Sequence, residues 1–252
     1  EVNPAHRQYR KIDLPHSNDY VRDIHVVGYD EIWVATESCL EILDGNMQVS
    51  TLPQADHDIP YTLQRNAFYC LCKDNEGGMW AGTYFSGVFY SRAGNSTSVR
   101  RYYAGSDKRQ SGRYIREIVT DKEGNLWIGS ESKGLFRFHP SSEEIEPIPG
   151  RELYENGLYS NVHGLCCDGD YIWAGTYEQT RTLTRIHRRT LASKSYPSAG
   201  KEIYTICKTA YGNLWLGTTS GLKRYDPAAD RFIADTAIRN PIHHLKEDSS
   251  GN

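Results

Sequence analysis

Six side chains able to grip polar groups or present a flat face recur at one place in the sequence: Arg22, Tyr69, Arg116, His163, Tyr204 and His243. Each directly follows an apolar residue, namely Val21, Phe68, Ile115, Val162, Ile203 and Ile242. Tyr84, Phe85, Lys133 and Tyr177 sit in short turns that recur at a second place. Arginine, lysine and histidine donate to hydroxyl or acidic groups, and aromatic faces stack on C–H surfaces, so the ten together suit a neutral or anionic saccharide. The competing reading makes the same residues a plug that hydrogen-bonds neighbouring elements. Hydrolysis would need two carboxyl groups facing each other. The recurring position holds none, and the sequence shows nothing that would separate the pKa values of Asp23 and Glu117, one residue further along. No catalytic residue is therefore expected.

What positions these side chains is an internal repeat. The five tryptophans, Trp33, Trp80, Trp127, Trp173 and Trp215, are separated by 47, 47, 46 and 42 residues, and each sits in a unit reading apolar, Trp, apolar, small, hydroxyl. A period of this length fits a helical pair or a four-stranded propeller blade. Turns such as Asp121-Lys122-Glu123-Gly124-Asn125 are too short and glycine-rich to continue a helix. The two apolar columns before each Trp lie three residues apart (Ile115 and Ile118, for example), which also matches one helix face. A three-residue step places side chains on opposite faces of a strand, and an innermost blade strand is packed from both sides, so strands are expected.

The expected fold is all-β: a β-propeller of four-stranded antiparallel blades, five of them complete, with partial strands at both ends. The blades are placed at about 20–53, 67–103, 113–148, 160–198 and 202–236, with extra strands at 7–14 and 240–248. Asp248-Ser249-Ser250-Gly251-Asn252 aligns on Asp121-Lys122-Glu123-Gly124-Asn125, so the chain is expected to be a piece of a longer propeller. Exposed sheet edges would then favour homo-oligomers. All five tryptophans are expected in the core, and the long connections Gln54–Arg65, Ala104–Gly112 and Pro149–Tyr159 around the ligand.

Composition sets limits. With 252 residues, 38% hydrophobic and 12% aromatic, the chain can bury a core. A net charge of -3, with both signs spread along the sequence, argues against nucleic acid as a partner. There is no apolar run long enough for a membrane helix, so any membrane association rests on other segments of a parent protein. Cys72, Cys166 and Cys207 share one column with Val119, which makes them small hydrophobes rather than disulfide partners. The histidines lack metal-ligand spacing, and neither metal nor cofactor is expected.

The stretches Asp121-Lys122-Glu123-Gly124-Asn125-Leu126-Trp127-Ile128-Gly129-Ser130 and Gly212-Asn213-Leu214-Trp215-Leu216-Gly217-Thr218, each followed by a Gly-Leu strand, resemble the two-component regulator propeller repeat. The resemblance covers essentially the whole chain. It implies a seven-bladed propeller within the periplasmic sensor region of a hybrid sensor histidine kinase and response regulator of the phosphorelay type. It further implies an oligosaccharide or other small-molecule ligand, and downstream domains of the same polypeptide as partners. The first unit departs from the pattern with Tyr29-Asp30 in place of Gly-Asn, and Cys39 and Thr180 replace a later glycine. Two other classes stay open: a propeller enzyme, glycosidase or lyase, acting on a carbohydrate or lactone, and a protein-interaction scaffold.

Overall fold

The structure is a computed structural model describing residues 2–3, 8–9, 11–14, 20–28, 30–49, 54–55, 66–93, 98–102, 114–131, 133–149, 154–155, 158–159, 161–177, 183–200 and 202–247. The fold is all-β, with a single short 3₁₀ turn at Pro197–Ala199 among the described residues.

Successive sheets follow the repeat. Blade 1 comprises Val21–Gly28, Glu31–Thr36 and Leu40–Leu43. Blade 2 comprises Phe68–Lys73, Met79–Thr83, Val88–Ser91 and Ser98–Tyr102. Blade 3 is built from Ile115–Thr120, Leu126–Ser130, Gly134–His139 and Glu144–Pro147. Blade 4 contains Val162–Asp168, Tyr171–Thr176, Leu183–His187 and Ser193–Ser195. Blade 5 contains Ile203–Lys208, Leu214–Thr218, Gly221–Asp226 and Arg231–Ala234. Within each blade the strands pair antiparallel in chain order.

Blade 1 differs from the expected four strands: its described part has three, closed by an isolated bridge between Leu43 and Val49. Gln54–Ala55 instead joins the outer edge of blade 2 in parallel with Ser98 and Val99. At the amino end Gln8–Tyr9 pairs with Val2–Asn3, and residues 11–14 form no strand.

One carboxylate organises the turn that leads into the Trp strand in blades 2 and 3. Asp121 accepts from the backbone N–H of Glu123 at 2.9 Å and of Asn125 at 3.0 Å, and its second oxygen takes the Trp127 indole N–H at 3.0 Å. Asp74 repeats this for Glu76, Gly78 and Trp80. Gly124 turns the corner at φ 86, a conformation L side chains resist. The small residue after the Trp has a separate cause. A Cβ on Gly129 would stand 2.9 Å from Val162, the first apolar residue of the next inner strand. Blades therefore stack through this position, and Gly82 against Ile115 and Gly175 against Ile203 repeat it.

The same contact locates the carboxyl end. Gly217 faces Ile242, whose N–H donates to the Thr218 carbonyl at 3.0 Å. Ile242 thus stands where the inner strand of a sixth blade would begin, although residues 241–247 form no sheet ladder. From there the Lys246 ammonium reaches the Ile24 carbonyl of blade 1 at 2.7 Å.

The core lies between blades. Trp33, Trp80, Trp127 and Trp173 are buried, with Trp127 at 0% exposure. Trp215 is the exception: it is only partly buried, because no full blade packs behind it. Val21 and Ile24 are likewise exposed on the first blade, whereas Phe68, Ile115, Val162 and Ile203 are fully buried. The six cysteines carry thiols and form no disulfide. Among the described residues no helix is long and apolar enough to cross a membrane, and no His, Cys, Asp or Glu cluster could hold a metal ion.

Candidate functional site

The recurring polar position is a β-bulge. In every described inner strand the register slips near its start, between Val21 and Asp23, Phe68 and Cys70, Ile115 and Glu117, Val162 and Gly164, and Ile203 and Thr205, and blade 1 slips again between Val26 and Gly28. The residue left over is Arg22, Tyr69, Arg116, His163 or Tyr204. An extra residue in one strand bends it and re-aims its side chain. The ring is therefore built by a backbone device and not by side-chain preference alone.

A second stitch brings a partner to each bulge. The residue that follows each Trp strand donates its N–H to the carbonyl just ahead of the inner strand: Glu37 to Tyr20, Tyr84 to Ala67, Glu131 to Tyr114, Tyr177 to Asn161 and Thr219 to Glu202, at 2.8 to 3.3 Å. Bulge and turn residue then meet. Arg22 forms an ion pair with Glu37. Tyr69 and Tyr84 rings lie 5.4 Å apart. Arg116 Nε donates to Glu131 at 2.8 Å. His163 stacks on Tyr177 at 5.1 Å with planes 13° apart.

Contacts also run from blade to blade. The Arg22 guanidinium lies 5.0 Å from the Tyr69 ring centre, and that of Arg116 lies 4.5 Å from the same centre. Tyr177 and Tyr204 are 5.4 Å apart, and Tyr204 and His243 4.3 Å. Phe85 packs edge-on against Tyr84 and is 53% exposed. Nine of the ten expected residues thus meet in two contact groups at the mouth, Arg22, Tyr69, Tyr84, Phe85 and Arg116 in one and His163, Tyr177, Tyr204 and His243 in the other. Lys133 lies in the turn after the blade 3 Trp strand, and no hydrogen bond or ion pair joins it to the others. The long connections expected to flank the ligand fall largely outside the described residues. Gln54 and Ala55, which are described, run along the outer edge of blade 2, so that part of the first connection is a sheet strand.

Glu37 is the residue that sequence reasoning missed, and Glu131 was placed in a mouth loop without its pairing to Arg116. Their signal was a fixed offset, since both ion pairs span 15 positions. They change the electrostatics, because each mouth arginine already faces a carboxylate. Burial and the charge of Arg116 push the His163 imidazole down to about 4, so it is neutral at physiological pH. Its Nε2 is buried and has no hydrogen-bond partner. Burial, reinforced by Tyr177, lifts the Tyr204 phenol to about 12.

Below the ring the structure corrects one expectation. Asp23 and Glu117 do influence each other: burial first, and the Asp23 charge second, raise the Glu117 carboxyl to about 8. Asp23 is held as an acceptor by the backbone N–H groups of Leu71 and Ile24, both at 2.8 Å. Asp23 is thus fixed by amides while the raised Glu117 carboxyl feels its charge, which the sequence could not show because the two lie in blades two apart.

This is a β-propeller whose mouth is lined by one bulged side chain per blade. Three segments, residues 62–85, 110–132 and 197–220, match the two component regulator propeller family model. A curated relative, histidine kinase P4 of Formosa agariphila, is 24% identical over 227 residues, covering 83% of this chain and 16% of that protein. The extracellular domain of a putative hybrid two component system from B. thetaiotaomicron superposes with a TM-score of 0.75 at 15% identity, over 96% of this chain and 32% of that one. A streptogramin B lyase superposes with a TM-score of 0.72 at 14% identity, over 99% of this chain and 76% of that one. The chain thus spans a small part of the curated relative and about a third of the sensor structure.

Proposed function

We propose that this chain is the ligand-sensing propeller module of an extracytoplasmic receptor of the hybrid histidine-kinase type, and that its mouth binds a neutral oligosaccharide. The kinase similarity of the curated relative and the repeat family support the receptor role. The observation that carries the ligand class is the mouth itself. Tyr69, Tyr84, Phe85, Tyr177 and Tyr204 present ring faces, while the two arginines are neutralised by Glu37 and Glu131. An acidic sugar would have to displace those carboxylates. A neutral sugar can stack on the rings and satisfy the orphaned His163 Nε2 through a hydroxyl. Periplasmic placement, signalling across a membrane through downstream domains, and self-association at the open sheet edges complete this reading.

Calorimetry on the periplasmic region of the parent protein, with matched neutral and uronic-acid oligosaccharides, tests it. Neutral glycans should bind with modest affinity, and Tyr69→Ala or Arg116→Ala should weaken binding with little change in thermal stability. Preference for acidic glycans, or equal affinity in wild type and both folded variants, would remove the ring from recognition. Product analysis in the same samples covers the enzyme reading, for which the Asp23 and Glu117 pair is the place to look.

A further inference from the structure

Each Trp strand places a defined residue opposite its tryptophan, and the inter-blade gaps differ in what that residue is. In blade 3 Trp127 pairs in register with Arg137, whose guanidinium lies 5.3 Å from the indole and whose Nη1 donates to the Arg188 carbonyl of blade 4 at 2.6 Å. In blade 4 Trp173 pairs with Arg185, 5.4 Å from the indole and 3.3 Å from the Tyr225 hydroxyl of blade 5. Both gaps are filled by a cation from the chain, held over an aromatic face.

In blade 2 the residue opposite Trp80 is Tyr90. No guanidinium enters this gap from that position, and a cavity of about 390 Å³ opens between blades 2 and 3. It lies at the opposite end of the strands from the mouth, beside the Asp74–Gly78 and Asp121–Asn125 turns. Tyr90 stacks on Trp80 at 4.4 Å, and Tyr102 and Phe138 complete an aromatic wall with rings 5.0 to 5.5 Å apart. The rim carries the carboxylates Asp74, Glu76, Glu123 and Glu143. Its two cations are engaged: Arg100 with Glu143 at 3.1 Å, and Lys122 with Asp170 at 2.6 Å. Glu123 and Glu143 are neutralised by arginines, which leaves Asp74 and Glu76 as the unbalanced charge.

We propose that this cavity is a second binding site, for a small organic cation bearing methylated ammonium, which takes the place that Arg137 and Arg185 occupy in the neighbouring gaps. Aromatic faces backed by carboxylates attract such a group and have little to offer an anion. The Tyr90 phenol is held above its ordinary range by burial and then by Asp74 and Glu76, whose charges outweigh the opposing one of Arg92. The site is independent of the mouth, and so is its test.

The probe is choline, compared with its uncharged isostere 3,3-dimethylbutan-1-ol in ligand-detected NMR titrations of the full chain at fixed salt. Choline should bind about tenfold more tightly than the isostere, the difference a desolvated cation–π site gives. Tyr90→Arg, which supplies the internal cation found in blades 3 and 4, should abolish choline binding. Glu76→Gln, on the exposed rim, should weaken it about threefold without touching the core. Equal binding of choline and its isostere, absence of choline binding up to about 50 mM, or unchanged affinity in Glu76→Gln would each overturn the proposal. The rim variant decides the matter even if Tyr90→Arg fails to fold.

Discussion

Blade 3 and blade 5 carry nearly the same motif and end in different states. Trp127 is completely buried, its indole N–H fixed by Asp121, its face covered by Arg137 and its other side packed by Leu165 and Ile172 of blade 4. Trp215 has the same strand position, the same following glycine and an arginine, Arg224, in register opposite it. Yet it stays partly exposed beside a cavity of about 190 Å³ lined by Leu222, Leu245 and Thr209. Two differences separate them. Thr209 stands where Asp121 stands in blade 3, and the segment beyond blade 5 supplies an inner strand position without the three strands behind it. A repeat motif therefore fixes a residue's place on a strand, while the neighbouring blade fixes how deeply it is buried.

The largest effect expected from this contrast is at the tryptophans. Trp127→Ala should destabilise by about 3–5 kcal/mol, the cost of a large cavity in a packed interior, and Trp215→Ala by about 1–2 kcal/mol. Chemical denaturation of both variants measures the gap, and equal losses would mean that blade 5 is covered as fully as blade 3. Next comes the turn carboxylate. Asp121→Ala strands the Trp127 indole and two backbone N–H groups inside the fold, for about 2–3 kcal/mol. The same experiment at Thr209, in blade 5, should cost well under half of that.

A pH series sharpens the comparison from the channel side. The Glu117 carboxyl is raised from 4.5 to about 8 in the folded protein, so the unfolded chain sheds its proton first as pH rises. Its contribution is complete below about 4.5 and is lost progressively up to about 8. Glu117→Gln should therefore match wild type at pH 4.5 and exceed it by about 1–3 kcal/mol at pH 8, the full shift being reduced because the residue is not wholly enclosed. Thermal melts across that range check this, and a constant offset would place the burden elsewhere. The smallest effect belongs to Thr209→Asp, which restores the turn carboxylate in blade 5. It should gain about 0.5–1 kcal/mol, readable as a higher melting temperature. If Trp215 becomes no better protected from quenching in that variant, the turn residue has no part in ordering the indole.

Much of the mouth was legible because its members recur at a fixed distance from an apolar column. Arg22, Tyr69, Arg116, His163 and Tyr204 were found that way, and the bulge gives the physical reason for the regularity. Glu37, and the pairing of Glu37 and Glu131 with the arginines, went unread although both obey an equally regular offset, since a carboxylate in a polar turn looks like ordinary solvated surface. Lys133 was read as a ligand-binding residue from its turn alone, and the structure joins it to none of the ring residues by hydrogen bond or ion pair. The fourth strand of blade 1 was inferred by analogy with the later units, and within the described residues Leu43 and Val49 supply a single bridge there.

By itself the sequence determined the repeat, its strands and turns and the tryptophan column, because each of these depends on residues within a few positions of one another. A turn carboxylate, a positive-φ glycine and an alternating strand need no distant partner to be specified. Only the tertiary structure decided which charges meet: Glu117 beside Asp23, Lys246 on the blade 1 carbonyl of Ile24, and Arg137 over Trp127 where blade 2 leaves a cavity. Those outcomes rest on the stacking of one blade on the next. Two units identical in local pattern become different once the faces that cover them differ.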